Sequence, residues 1–335
     1  MSEPKRVHRR NFLSTSLAAA GAGAVIGAAA DDLHVAPESG KPAGPQPAES
    51  DAGPMPCGKI GNVSISRLLL GGNLISGFMH ARDLKYVEPL FRAYVTEEKI
   101  LQTLKIAEEH GINTVFETGA PFVERYNREY GGHMQFIPHI QPELDGDWGK
   151  FEDDVKHKVD TGAVAVYVWG VAGDKLVQAG AVDRLAKAVE FAKTLNVPVG
   201  VGGHSLLVPM ACEKHGIPCD FYVKTLHSDQ YPSATPKPLR KEFIWIGGGE
   251  GWYDNMWCIN PEETVEFMKT VAKPWLAFKV LAAGAFHPRQ GFAHAFKSGA
   301  DFIAVGMFDF QVRENSELVA RLVRREAGRE RPWRA

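Results

Sequence analysis

Residues 96–117 read TEEKILQTLKIAEEHGINTVFE. Thr96 ahead of Glu97 and Glu98 has the chemistry of a helix start, because a hydroxyl can accept from the first orphan amide groups and acids favour the positive end of the helix dipole. Ile100, Leu104 and Ala107 then recur at helical spacing until Gly111 stops the run. Thr114-Val115-Phe116-Glu117 follows as a short β-branched and aromatic run, which predicts a strand. A helix that feeds directly into an apolar strand is the unit of a parallel sheet covered by helices.

The same alternation extends outward in both directions. Strands are predicted at 67–72, 114–117, 135–140, 164–169, 197–201, 221–225, 276–281 and 302–306. Eight strands with helices between them predict an α/β fold, a single (β/α)₈ TIM barrel, rather than an open doubly wound sheet. Asn260-Pro261-Glu262-Glu263 offers a capping residue, a proline for the first turn and two acids. A helix over 182–196 would turn Leu185, Val189 and Phe191 to the sheet. Two connections, 73–95 after the first strand and 228–259 after the sixth, exceed the usual two to six residues or so and should rise over the C-terminal face, where barrel enzymes keep their chemistry. The second holds Tyr231, Phe243, Trp245, Trp252, Tyr253 and Trp257 and is expected to form a lid or substrate wall, the alternative being an aromatic brace for a dimer or for loop packing.

Ahead of the barrel, His8-Arg9-Arg10-Asn11-Phe12-Leu13 resembles a twin-arginine export signal, followed by a weakly apolar Ala- and Gly-rich run to Ala30. Residues 31–55 are rich in Pro, Ala, Gly and acids and carry hardly any large apolar group, the composition of a disordered linker. The expected organisation is a signal peptide at 1–30, the linker at 31–55 and the barrel at 56–335, with the mature protein periplasmic or exported, no stable membrane span, and the export machinery as a partner. A formal net charge of −2, from 38 basic and 40 acidic residues, gives no footprint for nucleic acid or an anionic membrane and favours a small-molecule substrate. The four cysteines show no CxxC spacing, which argues against a zinc ribbon or thioredoxin-type site.

Several passages resemble the aldo-keto reductase superfamily: 59–73 its opening strand, 108–118 its second helix-to-strand passage, 199–205 its fifth strand-to-helix turn, and 273–284 with 299–315 its last two strands. The resemblance implies an oxidoreductase acting on a carbonyl or carbohydrate-type molecule with a nicotinamide dinucleotide. It places Gly202 and Gly203 where the family clamps the carboxamide, and Glu314 and Asn315 on the adenine side. The family's Asp-Tyr-Lys-His tetrad, however, falls at Glu117, near Phe122, near His139 and near Trp169 or Gly170. Phenylalanine cannot donate a proton, so the family's usual reduction is not supported by these residues.

Read without the family, the strand ends carry polar residues expected to converge above the barrel: Asn73, Glu117, His139, His204, Lys224, His227, Asp229 and Lys279. Three chemistries follow. Glu117, His139, His204 and His227 are suitable ligands for a divalent metal serving an isomerase, lyase or hydrolase. Lys224 and Lys279, if adjacent, would depress one amine's pKa and make a Schiff-base nucleophile. A non-catalytic sugar-binding protein is the third. Asn73, Trp169, Tyr231 and Trp252 are candidates to touch substrate, and His139 or Tyr126 could replace the missing proton donor. The terminal Arg331-Pro332-Trp333-Arg334-Ala335 is predicted to dock through Trp333.

Overall fold

The computed structural model describes residues 53–82, 84–242 and 256–335. The signal motif, its apolar run, almost all of the linker and Trp252 lie outside these residues. Eight parallel strands close into a barrel in the order β10-β3-β4-β5-β6-β7-β8-β9. They are β3 (Leu68–Gly71), β4 (Thr114–Glu117), β5 (Gln135–Ile140), β6 (Val166–Val168), β7 (Val199–Gly203), β8 (Phe221–Thr225), β9 (Trp275–Phe278) and β10 (Phe302–Val305). Each predicted strand has its counterpart, although β9 begins one residue earlier and ends three earlier than expected.

Alternation along the strands sorts side chains into two cores, because successive Cβ atoms point to opposite faces of a sheet. Leu69, Phe116, Ile137, Ala165, Tyr167, Phe221, Val223, Leu276, Phe302 and Ala304 fill the barrel interior. Leu68, Leu70, Val115, Ile140, Val166, Val168, Val201, Tyr222, Ala277, Ile303 and Val305 face the surrounding helices. Such strands, buried on both faces, read as continuous apolar runs.

The lower end of the barrel, where the strands begin, is closed by a hairpin that the sequence reading had merged into the opening strand. β1 (Cys57–Ile60) pairs antiparallel with β2 (Val63–Ser66), and Ile60 and Ile65 join the interior core. The Asn113 and Gln135 side-chain amides, just before or at the start of β4 and β5, both donate to the Ser64 carbonyl. The C-terminal tail packs at this same end. Trp333 lies against Phe296 with the Arg67 and Arg329 guanidinium groups over its ring at 4.4 and 3.6 Å. Buried Arg331 donates to Asp301 Oδ2 at 2.7 Å and to four backbone carbonyls, so the predicted docking of the tail is observed.

Helix ends explain most of the outer layer. Thr96 caps the helix Glu97–Glu109 by accepting from the Lys99 amide at 3.2 Å. Asn260 does not cap Pro261–Thr270; its side-chain amide donates instead to Glu263. In Val182–Lys193, Leu185 and Val189 are buried as expected, whereas Phe191 is part-exposed and meets Phe151 of the neighbouring helix Trp148–Asp160. The connection after β3 carries a short helix, Glu88–Tyr94, anchored by buried Phe91. No helix among the described residues is long and apolar enough to cross a membrane.

Candidate active site

Two adjoining cavities open at the C-terminal mouth of the barrel. The first, about 250 Å³, has the titratable side chains of Glu117, His139, Tyr167, His204 and Lys279 and the Trp169 ring among its walls. The second, about 310 Å³, runs along the ends of β3, β9 and β10 and is lined by glycine backbone, apolar side chains and the amides of Gln311 and Asn315. They share Asn73, Phe78, His80, Glu117, Phe278 and Lys279.

Strand alternation accounts for which candidates reach the mouth. His139 continues the inward series of Ile137, and His204 that of Gly200 and Gly202. Glu117 and Lys279 have the wrong parity: each follows an inward residue, Phe116 or Phe278, and would point to the helices. Both adopt a left-handed backbone, φ 83° at Glu117 and φ 58° at Lys279, and both line the cavity. That conformation costs a non-glycine residue about 1–3 kcal/mol and persists where surrounding structure holds it.

Each of these groups is tuned by its neighbours. Trp169 Nε1 donates to Glu117 Oε1 at 3.0 Å. Burial raises the Glu117 carboxyl above its ordinary range, against the opposing pull of Lys279 and the Trp169 hydrogen bond. Lys279 Nζ donates to His80 Nε2 at 2.6 Å and lies 3.8 Å from the Trp257 ring centroid, a cation–π contact. The His204 ring is held by Asp174, a buried residue of the helix Gly170–Gln178: Nδ1 is 2.8 Å from Asp174 Oδ2, and the same carboxylate accepts the backbone amides of His204 and Ser205. Burial lowers the imidazole well below its usual pKa, and burial likewise pushes Asp174 up to about 7. With Nδ1–H donating to the carboxylate, Nε2 is the proton-accepting nitrogen. His139 stacks on Trp169 at 5.4 Å and is held neutral by burial, its pKa lowered to about 4.

The remaining candidates do other things. Lys224 has the parity of Tyr222 and points outward, where its ammonium donates to the Thr225 carbonyl and hydroxyl and lines neither cavity. The Lys224–Lys279 pair thus stands on opposite faces of the sheet. His227 is fully buried, with Nδ1 donating to the Ser228 carbonyl and Nε2 accepting the Trp257 and Cys258 amides, so its ring pins the return of the long connection. Asp229 pairs with Arg240 at 2.8 Å. Tyr231 packs on Phe286 and His227 rather than lining a cavity. The expected metal quartet loses His227, and among the described residues no three His, Cys, Asp or Glu side chains converge closely enough to hold an ion. Asn73 and Trp169 do line the mouth. Asp174 and Tyr167, absent from the predicted set, had one visible signal each: a lone acid in the apolar run GVAGDKL and a lone hydroxyl in VYV.

Of the four residues expected to bind a dinucleotide, only Asn315 lines the second cavity. Gly202 and Gly203 serve packing: a Cβ at Gly202 would meet Val168 O at 2.6 Å, and one at Gly203 would meet Val208. Glu314 is exposed. Lys279 is the single lysine or arginine among the described lining residues to face a diphosphate. This donor set does not fit a whole dinucleotide.

No family profile matches the chain. A comparison with curated proteins finds none that matches. Two solved structures, both of a candidate aldo-keto reductase from Pseudomonas aeruginosa, are similar to it in shape. One shares 16% identity and a TM-score of 0.52, covering 80% of this chain and 94% of its own. The other shares 15% identity and a TM-score of 0.53, covering 80% of this chain and 96% of its own. At such identity the likeness establishes the fold, the closed eight-stranded barrel, and leaves the chemistry to the residues at its mouth.

Proposed function

We propose that this protein is an exported enzyme that moves protons next to the carbonyl of a small carbohydrate-type molecule, as in an isomerisation, epimerisation or elimination. The observation that carries this reading is the left-handed turn of Glu117 and Lys279, which brings both into the cavity that His204 also lines. A carboxyl raised by burial and an imidazole fixed by a carboxylate are the two proton-handling groups such chemistry needs. One removes the proton α to the carbonyl, the carbon–hydrogen electron pair moves toward oxygen, and the other returns a proton. The Lys279 ammonium supports the developing negative charge. The cavity volume lies a little below the range of about 300–1,000 Å³ usual for drug-sized ligands, and its aromatic walls of Trp169, Phe78 and Phe278 suit a sugar ring.

The likeness of the barrel to candidate aldo-keto reductases raises another reading, a redox enzyme of that type, against which the sparse donor set of the second cavity stands. Incubating the mature protein with aldoses and ketoses in deuterated water separates the two. Deuterium is expected at the carbon beside the carbonyl, with Glu117→Gln slowing incorporation by roughly 100-fold or more. Absence of exchange, together with nicotinamide-dependent turnover of the same compounds, would favour the redox reading instead.

A further inference from the structure

We propose that the Tyr167 hydroxyl is the hydrogen-bond donor that receives the substrate's carbonyl oxygen in the first cavity. Tyr167 sits in β6, in register between His139 of β5 and Gly200 of β7. Its parity points it into the barrel, and its ring stacks on Phe116 at 4.7 Å and 20°. The side chain is only 2% exposed, and it lines the cavity with Glu117, Trp169 and His204.

A phenol so deeply placed ordinarily finds a protein partner, since a buried donor left unpaired is costly. Tyr126 donates to Glu108 and Tyr222 to Glu213, both at 2.7 Å. No protein group among the described residues hydrogen-bonds the Tyr167 hydroxyl, so its donor is spent toward the cavity. Phe116 beneath and the edge of His139 beside it fix the ring, which makes the donor preorganised rather than mobile. Burial, reinforced by the Glu117 charge, holds the phenol protonated at any working pH. Tyr167 is therefore a donor and not a base. As the proton α to the carbonyl leaves, the electron pair gathers on oxygen, and the phenol O–H bond stays intact while its hydrogen bond shortens.

This assignment rests on the carbonyl reading above, and the test keeps the two apart. Tyr167→Phe in the mature chain preserves the ring and its stacking, and its thermal midpoint should stay close to the parent's. The expected result is a fall in kcat of about 100- to 1,000-fold with KM changed far less, because the bond strengthens as charge develops. Ligand binding should also perturb the tyrosine ultraviolet band of the parent but not of the variant. If the parent exchanges deuterium and Tyr167→Phe does so equally well, the donor assignment fails while the carbonyl reading stands. A parent that neither exchanges nor binds carbonyl compounds overturns both.

Discussion

With Nδ1 held 2.8 Å from Asp174 and the same carboxylate taking two backbone amides, His204 has its tautomer chosen by a residue that never meets substrate. Asp174 is pushed up to about 7 by burial, so its ionisation falls within the working range. Loss of the Asp174 proton leaves an acceptor for Nδ1–H and makes Nε2 the base, so the rate should rise with pH through an apparent value near 7, a property of the coupled pair. Asp174→Asn, which can present its amide to Nδ1 and select the other tautomer, should lower kcat by about 100- to 10,000-fold. It should also remove the acid limb of the pH–rate profile. A variant with reduced rate and an unchanged limb would assign that limb to another group.

At the scale of elements, one histidine governs how the long connection after β8 returns to the barrel. His227 Nε2 accepts the backbone amides of both Trp257 and Cys258, and Trp257 walls the second cavity. His227→Ala should cost roughly 2–6 kcal/mol, the sum of two buried donors left unsatisfied, and raise KM by releasing Trp257. Burial lowers the His227 pKa to about 4, below its ordinary 6.5. The folded state therefore takes up the proton less readily than the unfolded chain. Stability from this group is complete above about pH 6.5 and lost as pH falls toward 4. Thermal unfolding at several pH values should show a shallower acid decline in the variant. The barrel itself was legible because the strands are short apolar or β-branched runs bounded by helix signals, as in Thr114–Glu117. The site was legible only in part. Phe221 and Val223 against Tyr222 and Lys224 already encode an outward Lys224, which parity would have shown. The left-handed turn that brings Glu117 and Lys279 inward has no such local code, since neither is glycine, asparagine or aspartate. Nor does the sequence say that His227 spends both ring nitrogens on backbone.

For the whole molecule, the proposal of export makes a demand on folding. The twin-arginine route implies passage in the folded state, so the barrel must be complete in a reducing compartment. Its four cysteines are free thiols, with Cys212, Cys219 and Cys258 buried, so this fold does not depend on an oxidant. Its lower end is locked by the last residues of the chain, through Arg331 on Asp301 and Trp333 between two guanidinium groups. Replacing Arg9 and Arg10 together by lysine should leave this barrel intact, since both residues precede it, while holding the precursor in the cytoplasm. Fractionation should then recover the uncleaved precursor with the cytoplasmic protein. Undiminished export of that double variant would overturn the twin-arginine reading without touching the barrel or its cavity.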